Sequence, residues 1–240
     1  MSTLHRLSAL ALAAAFAFPA FPAFAADVVT DALQAAYAPY RAALFRTNGK
    51  SQPEAQQAIA QAQQAWKGVT ERFAAKPAAP YDRDADFAAT LVKVSAVYDK
   101  AAAEIGAGKL PEAHETLEEA RDLLAAMRQR NGVVVFSDPM NAYHAEMEHL
   151  LIEGPKILAA PQGLAQLTAQ AGVLEYLVKQ LRAQAPAALR QNAEFETLLK
   201  DVEGSVQAVK NAALNQDAAA LKAAMEKVKV PYSKLFLKFG

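Results

Sequence analysis

The chain of 240 residues carries 25 basic and 25 acidic side chains and no cysteine. This balance lacks the basic footprint of nucleic acid binding, and without cysteine there can be no disulfide, no thioether-linked haem and no thiolate metal ligand. Alanine is the commonest residue and β-branched runs are almost missing, so an all-α fold is expected, with length enough for one large helical domain or two small ones.

Residues 1–25 read as a secretory signal peptide. They hold a short basic start at His5 and Arg6, an apolar run over 7–18, and the small-residue triplet Ala23-Phe24-Ala25. The mature chain is expected to start at Ala26, in the periplasm or outside the cell. Only Arg6 among the charged residues falls in that segment, so the processed chain has a net charge of −1 with histidine neutral. The apolar run is shorter than the ~20 residues of a membrane span, and no later window lacks charge for that long. No membrane span is therefore expected in the mature chain.

Eight helices are readable beyond the leader. The first covers 27–46 and stops before Asn48-Gly49. The second opens after Ser51, a capping residue, with Pro53 in its first turn, and spaces Ile59, Trp66, Val69 and Phe73 as one helical face. Lys76-Pro77-Ala78-Ala79-Pro80 breaks the chain. The third, 82–105, aligns Phe87, Leu91, Val94 and Tyr98 on a stripe and ends at Gly106 and Gly108. The fourth covers 111–130. Residues 131–137 form an extended link with the apolar run Val133-Val134-Val135-Phe136. The fifth helix starts with Asp138 as cap and Pro139 in the first position, and Gly154-Pro155 closes it. Three more helices cover 162–184, 192–214 and 217–236.

The stretch Phe87-Ala88-Ala89-Thr90-Leu91-Val92-Lys93-Val94 resembles Phe195-Glu196-Thr197-Leu198-Leu199-Lys200-Asp201-Val202 in its apolar positions, and each opens a long helix followed by a turn and another helix. If this is a duplication, 26–130 and 138–240 are two four-helix bundles. Otherwise the eight helices form one antiparallel bundle.

The chemistry concentrates in residues 137–151, which hold two of the three histidines and two of the four methionines outside the leader. At about 100° per residue, Met140, His144, Met147 and Leu151 share a narrow sector with Glu148 at its edge, and His149 points almost opposite, toward solvent. Thioether and imidazole together suit copper, above all Cu(I), and imidazole with carboxylate suits divalent iron, zinc or copper. His144, Met147, Met140 and Glu148 are therefore the candidate metal ligands. A further ligand would have to come from a facing helix, where His114, Glu118 and Met225 are the available types, although His114 lies off the main stripe of its helix and is expected at the surface. The alternative is ordinary packing, with His144 bonded to Glu148 or Tyr143 and the methionines filling the core. No Gly-rich phosphate loop, GxSxG elbow or HExxH motif is present, and no nucleophile or oxyanion site accompanies the histidines, so no enzymatic activity is expected.

The bundle layout is similar to the periplasmic haem bundles of the cytochrome c-prime and b-type kinds. The cysteines of the first are missing, and the terminal-helix methionine and histidine of the second have no counterpart, because the first helix has no methionine and the eighth no histidine. Haem is not expected. The piece His144-Ala145-Glu146-Met147-Glu148-His149-Leu150-Leu151 resembles the HxxE signature of imelysin-type iron-associated proteins, with its glutamates two and four residues after the histidine instead of three. The leading expectation is a periplasmic, non-enzymatic binding protein for a transition metal, copper first. The alternative is a metal-free interaction or chaperone-like module that meets a partner protein through Val135 and Phe136.

Overall fold

Alanine, leucine and alternating charges at three- and four-residue spacing make helix the regular structure of this chain. The computed structural model describes residues 27–240, which form ten α-helices and one 3₁₀ turn, with no strand among the described residues. The expected signal peptide lies outside them. The helices are α1 (Val28–Thr47), α2 (Gln52–Phe73), α3 (Phe87–Gly106), α4 (Leu110–Arg130), α5 (Ser137–Leu158), α6 (Gly163–Gln184), α7 (Ala187–Arg190), α8 (Ala193–Leu214), α9 (Ala218–Met225) and α10 (Lys229–Phe239). The all-α bundle expected from composition is what forms. In the N-terminal half α1 packs on α2 and α4, and α3 closes the ring between α2 and α4. In the C-terminal half α5 packs on α6 and α6 on α8, while α9 and α10 lie against both α5 and α8. Helix α10 also touches α1, so it joins the halves.

Several boundaries differ from those expected from sequence. Asp27 and Asn192 cap α1 and α8 by accepting from the amides of Thr30 (2.9 Å) and Phe195 (3.0 Å), whereas the Ser51 side chain makes no capping bond. The third helix starts at Phe87, not 82, because Asp84 is taken by the end of α4. Its carboxylate accepts from Asn131 Nδ2 at 2.8 Å and Arg130 Nη2 at 3.0 Å, and Tyr81–Arg83 becomes a 3₁₀ turn. Pro155 does not close α5, which continues to Leu158. Its neighbour Gly154 is the close-approach residue, since a Cβ there would sit 2.8 Å from Met225 Sδ on α9. The expected eighth helix is split into α9 and α10 by a turn at 226–228, and a short α7 precedes α8.

The two stretches of apolar likeness do share a local form. Phe87 and Phe195 are both fully buried near the starts of their helices. Helix α3 ends with Gly108 at φ +75° and α8 with Gln216 at φ +54°. In both, the next amide reaches back five residues, Lys109 to the Glu104 carbonyl at 2.9 Å and Asp217 to that of Ala212 at 3.0 Å.

The link between the halves is tied down at both ends. Arg128 is buried at the end of α4 and donates from Nε to Asp138 Oδ1 at 3.0 Å, with Nη2 bonded to the same oxygen. Asp138 Oδ2 accepts the Val135 amide at 2.9 Å. The Phe136 ring stands edge-on to Phe195 at 5.8 Å, so the link is anchored into α8 as well. A run of aromatic contacts then crosses the molecule, from Trp66 through Tyr98, Tyr40 and Tyr37 to Phe236, Tyr232 and Tyr143, with centroid separations of 4.9 to 6.3 Å. Buried aromatics of this kind bring large apolar areas and fixed geometry together.

Removing the Asp138 carboxylate would leave the buried Arg128 guanidinium without its partner and the Val135 amide without its acceptor. Asp138→Ala is expected to cost about 2 to 3 kcal/mol in urea unfolding. A change under about 0.5 kcal/mol would show that the link does not depend on this pair.

Candidate metal centre

The last turn of α1, the middle of α4, the middle of α5 and the start of α10 converge where the two halves meet. Helix α4 brings His114, Glu118 and Arg121, and α5 brings His144, Met147 and Glu148. Each helix therefore presents a histidine with a glutamate four residues later, which places the pair on one face. Lys229 and Tyr232 come from α10, and Thr47 and Asn48 from the end of α1 and its cap. Between these elements lies a cavity of ≈30 Å³, lined by His114, His144, Arg121, Met147, Lys229 and Tyr232 among others. That volume can hold a water-sized ligand or a single ion.

His114 and His144 are each 8% exposed. The position of His114 departs from the surface site expected from its helix, because the C-terminal end of α1 covers it. Its Nδ1 lies 3.1 Å from the Leu44 carbonyl, an acceptor only, so Nδ1 carries the proton. The Thr47 hydroxyl, 3.1 Å from the same nitrogen, donates its own proton to the Leu44 carbonyl at 2.8 Å and can offer Nδ1 only a lone pair. The lone pair of the neutral ring is then on Nε2, which faces Asn48 Nδ2 at 3.2 Å and Glu118 Oε1 at 3.6 Å. Burial holds the His114 pKa below its ordinary value against the pull of Glu118, so the ring is neutral.

His144 has the opposite tautomer. Its Nδ1 accepts from Arg121 Nη1 at 2.9 Å, which puts the proton of the neutral ring on Nε2. Nε2 in turn faces Glu118 Oε1 at 3.5 Å and Glu148 Oε1 at 3.6 Å. Burial, with Arg121, Lys229 and His114 beside it, lowers the His144 pKa to about 3. The two carboxylates pull the other way, but an Nδ1 committed to a guanidinium donor cannot take a proton without losing that bond. Burial also opposes the Arg121 charge, yet Glu118, the nearby phenols and Asp122 together raise its pKa. Lys229 Nζ closes the cluster, 3.0 Å from Glu148 Oε1. Tyr232 lies 5.5 Å from the His144 ring and donates to the Met140 carbonyl at 3.1 Å, with burial keeping its phenol protonated.

Of the residues singled out from sequence, His144, Glu148 and Met147 meet here, with His114 and Glu118 from the facing helix. Met140 is buried one turn earlier and takes part through its backbone carbonyl, its side chain lying outside the cavity lining. Met225 packs against Gly154 instead. His149 is exposed as expected, its Nδ1 bonded to Gln170 Nε2 at 2.7 Å. At the link, Val135 is half-buried and Phe136 packs into the core on Phe195, while Val134 stands out at 79% exposure. The two cations, Arg121 and Lys229, had no place in the sequence reading. Arg121 was signalled only by falling three residues after Glu118 and seven after His114. Among the described residues, no group of three or more histidine, aspartate and glutamate side chains is drawn together as a finished metal centre. The spacings above are those of a charge network in which Arg121 and Lys229 neutralise Glu118 and Glu148.

A histidine whose folded pKa is depressed binds its proton more readily in the unfolded chain. Stability is therefore full above pH 6.5 and falls as the pH drops from 6.5 toward about 3, where the folded His144 begins to take up its proton. Urea unfolding across that range is expected to show the loss, with His114 adding to it in the same direction, and His144→Gln should flatten the curve. An equal slope in the variant would place the acid sensitivity elsewhere.

No protein-family model, no curated protein and no solved structure matches this chain, so the chemistry of the cluster is read from its own geometry.

Proposed function

We propose that the protein is a periplasmic, non-enzymatic binding protein for a transition metal, copper first, with iron or zinc the other ions that its donors accept. The observation that carries this reading is an acceptor facing an acceptor. The His114 Nε2 lone pair and Glu118 Oε1 stand 3.6 Å apart with no proton to share, and a cation between them would take the place of the donors that each has now, Asn48 Nδ2 at 3.2 Å and Arg121 Nη1 at 3.4 Å. Two further gaps continue the series, from Glu118 Oε1 to His144 Nε2 and on to Glu148 Oε1, at 3.5 and 3.6 Å, and both are spanned by the proton on His144 Nε2. A tetrahedral ion with bonds of about 2.1 Å sets its ligands about 3.4 Å apart. Each of these three spacings would need to close by only a few tenths of an ångström. His114 is already oriented as a ligand, its Nδ1–H donated to a backbone carbonyl, an arrangement usual at metal-binding histidines. His144 can join once its proton sits on Nδ1 and Arg121 turns away to keep Glu118 alone. Met147, a thioether residue, lines the cavity, which favours copper among the possible ions. Met140 serves this reading as packing behind α5.

The second reading, a metal-free interaction module, draws on the same charge network, because Arg121 and Lys229 already neutralise both carboxylates. Its surface would be the exposed Val134 with Val135, since Phe136 is engaged with Phe195.

Thermal unfolding after chelation, and then with Cu(II), Zn(II) and Fe(II) in turn, separates the two. An ion at a hundred times its dissociation constant adds ~2.7 kcal/mol to a folded state that alone binds it. A raised midpoint is expected for the wild type and is expected to be lost in His114→Ala and in His144→Ala. A midpoint that no ion moves would end the metal reading and leave the module.

A further inference from the structure

Lys229 differs from every other charged or imidazole side chain of the cluster in its access to solvent. Its side chain is 35% exposed, against 10% for each histidine, 11% for Arg121, 23% for Glu118 and 24% for Glu148. It sits at the first residue of α10, lines the cavity, and places Nζ 3.0 Å from Glu148 Oε1. That oxygen is itself screened from solvent and makes no properly directed hydrogen bond, so Lys229 holds it by charge alone. The other side of the same oxygen faces His144 Nε2 at 3.6 Å. Resting on the metal reading above, we propose that Lys229 is an exchangeable plug: its ammonium occupies the charge position that an incoming divalent ion takes, and the ion loads by expelling it into solvent.

The physical grounds are direct. A divalent ion bound beside Glu148 would stand within a few ångströms of the ammonium, where two like charges in a partly buried site repel strongly. Lysine is a flexible stem with a compact charge and can leave along the route on which it is already exposed. Arg121 is different, being enclosed and bonded to Glu118 at 3.4 Å and to His144 Nδ1 at 2.9 Å, so it can turn within the cluster but has no open path out. The anionic pair Glu118 and Glu148 thus retains one fixed and one mobile counter-charge. Removing the mobile one leaves Glu148 uncompensated, and a metal ion then relieves that cost when it binds.

The test is the affinity of the protein for Cu(II), measured by competition with a chromophoric chelator, in the wild type, Lys229→Leu and Lys229→Arg. Leucine keeps an apolar stem and removes the charge without adding a ligand, and is expected to tighten binding at least tenfold, which is ~1.4 kcal/mol. Arginine keeps the charge and is expected to bind no tighter than the wild type. Wild-type binding that depends on His114 but is unchanged or weaker in Lys229→Leu would overturn the plug while leaving the metal reading intact. An equal gain in Lys229→Arg would also overturn it, by showing that charge is not the cause. Absence of Cu(II) binding in all three proteins would remove the metal reading and the plug with it. Urea unfolding of each variant confirms that the fold at α10 is retained.

Discussion

Two carboxylates drawn into the junction between the halves, Glu118 on α4 and Glu148 on α5, set the arrangement of everything charged around them. A carboxylate taken from water must be paired or it destabilises the fold. The partners come from elements far apart in sequence, Arg121 and His114 from α4, His144 from α5 and Lys229 from α10. Each half brings its own carboxylate and cation, Glu118 with Arg121 and Glu148 with Lys229, and His144 stands between the two carboxylates across the junction. Each glutamate is reached by a cation on one side and by an imidazole on the other, and the two imidazoles are held in opposite tautomers by the Leu44 carbonyl and by Arg121.

The apolar framework makes that junction reproducible. The aromatic run from Trp66 to Tyr143 passes through α1 and α10, the two helices that touch across the halves. Tyr40 donates to the Leu117 carbonyl at 2.9 Å and Tyr232 to that of Met140 at 3.1 Å, so each phenol fixes the helix carrying one of the histidines. The Arg128 and Asp138 pair does the same for the short link, setting where α5 begins relative to the end of α4. A cavity of ≈30 Å³ between such well-packed elements has room for a small ligand only.

Most of the helices were legible because amphipathic spacing acts locally, although the caps expected from sequence, Ser51 and Asp138, make no capping bond and α5 starts one residue earlier than Asp138, at Ser137. The misjudged boundaries were those where a distant residue intervened. Asp84 is held by Arg130 and Asn131, and no periodicity in 82–105 reveals that. Pro155 reads as a stop, yet near the end of α5 its missing amide removes little, and the packing of Met225 on Gly154 keeps the helix going. At the site, the sector of α5 holding His144, Met147 and Glu148 could be drawn from sequence, because one helix fixes it. His114 could not be placed, since the face of α4 that it occupies is buried only by the end of α1. Lys229 and Arg121 looked like ordinary surface charges for the same reason, and Phe136, readable as an unpartnered apolar residue, finds Phe195 only after the chain has folded.

The most direct measurement is a crystal structure of the protein soaked with Cu(II), with data collected on both sides of the copper absorption edge. The account predicts one anomalous peak between His114 Nε2 and His144 Nε2, within bonding reach of Glu118 or Glu148, with Lys229 Nζ displaced from Glu148. A peak confined to exposed His149, or no peak while Arg121 still donates to His144 Nδ1, would contradict it and leave the cluster as a charge clamp between the two halves.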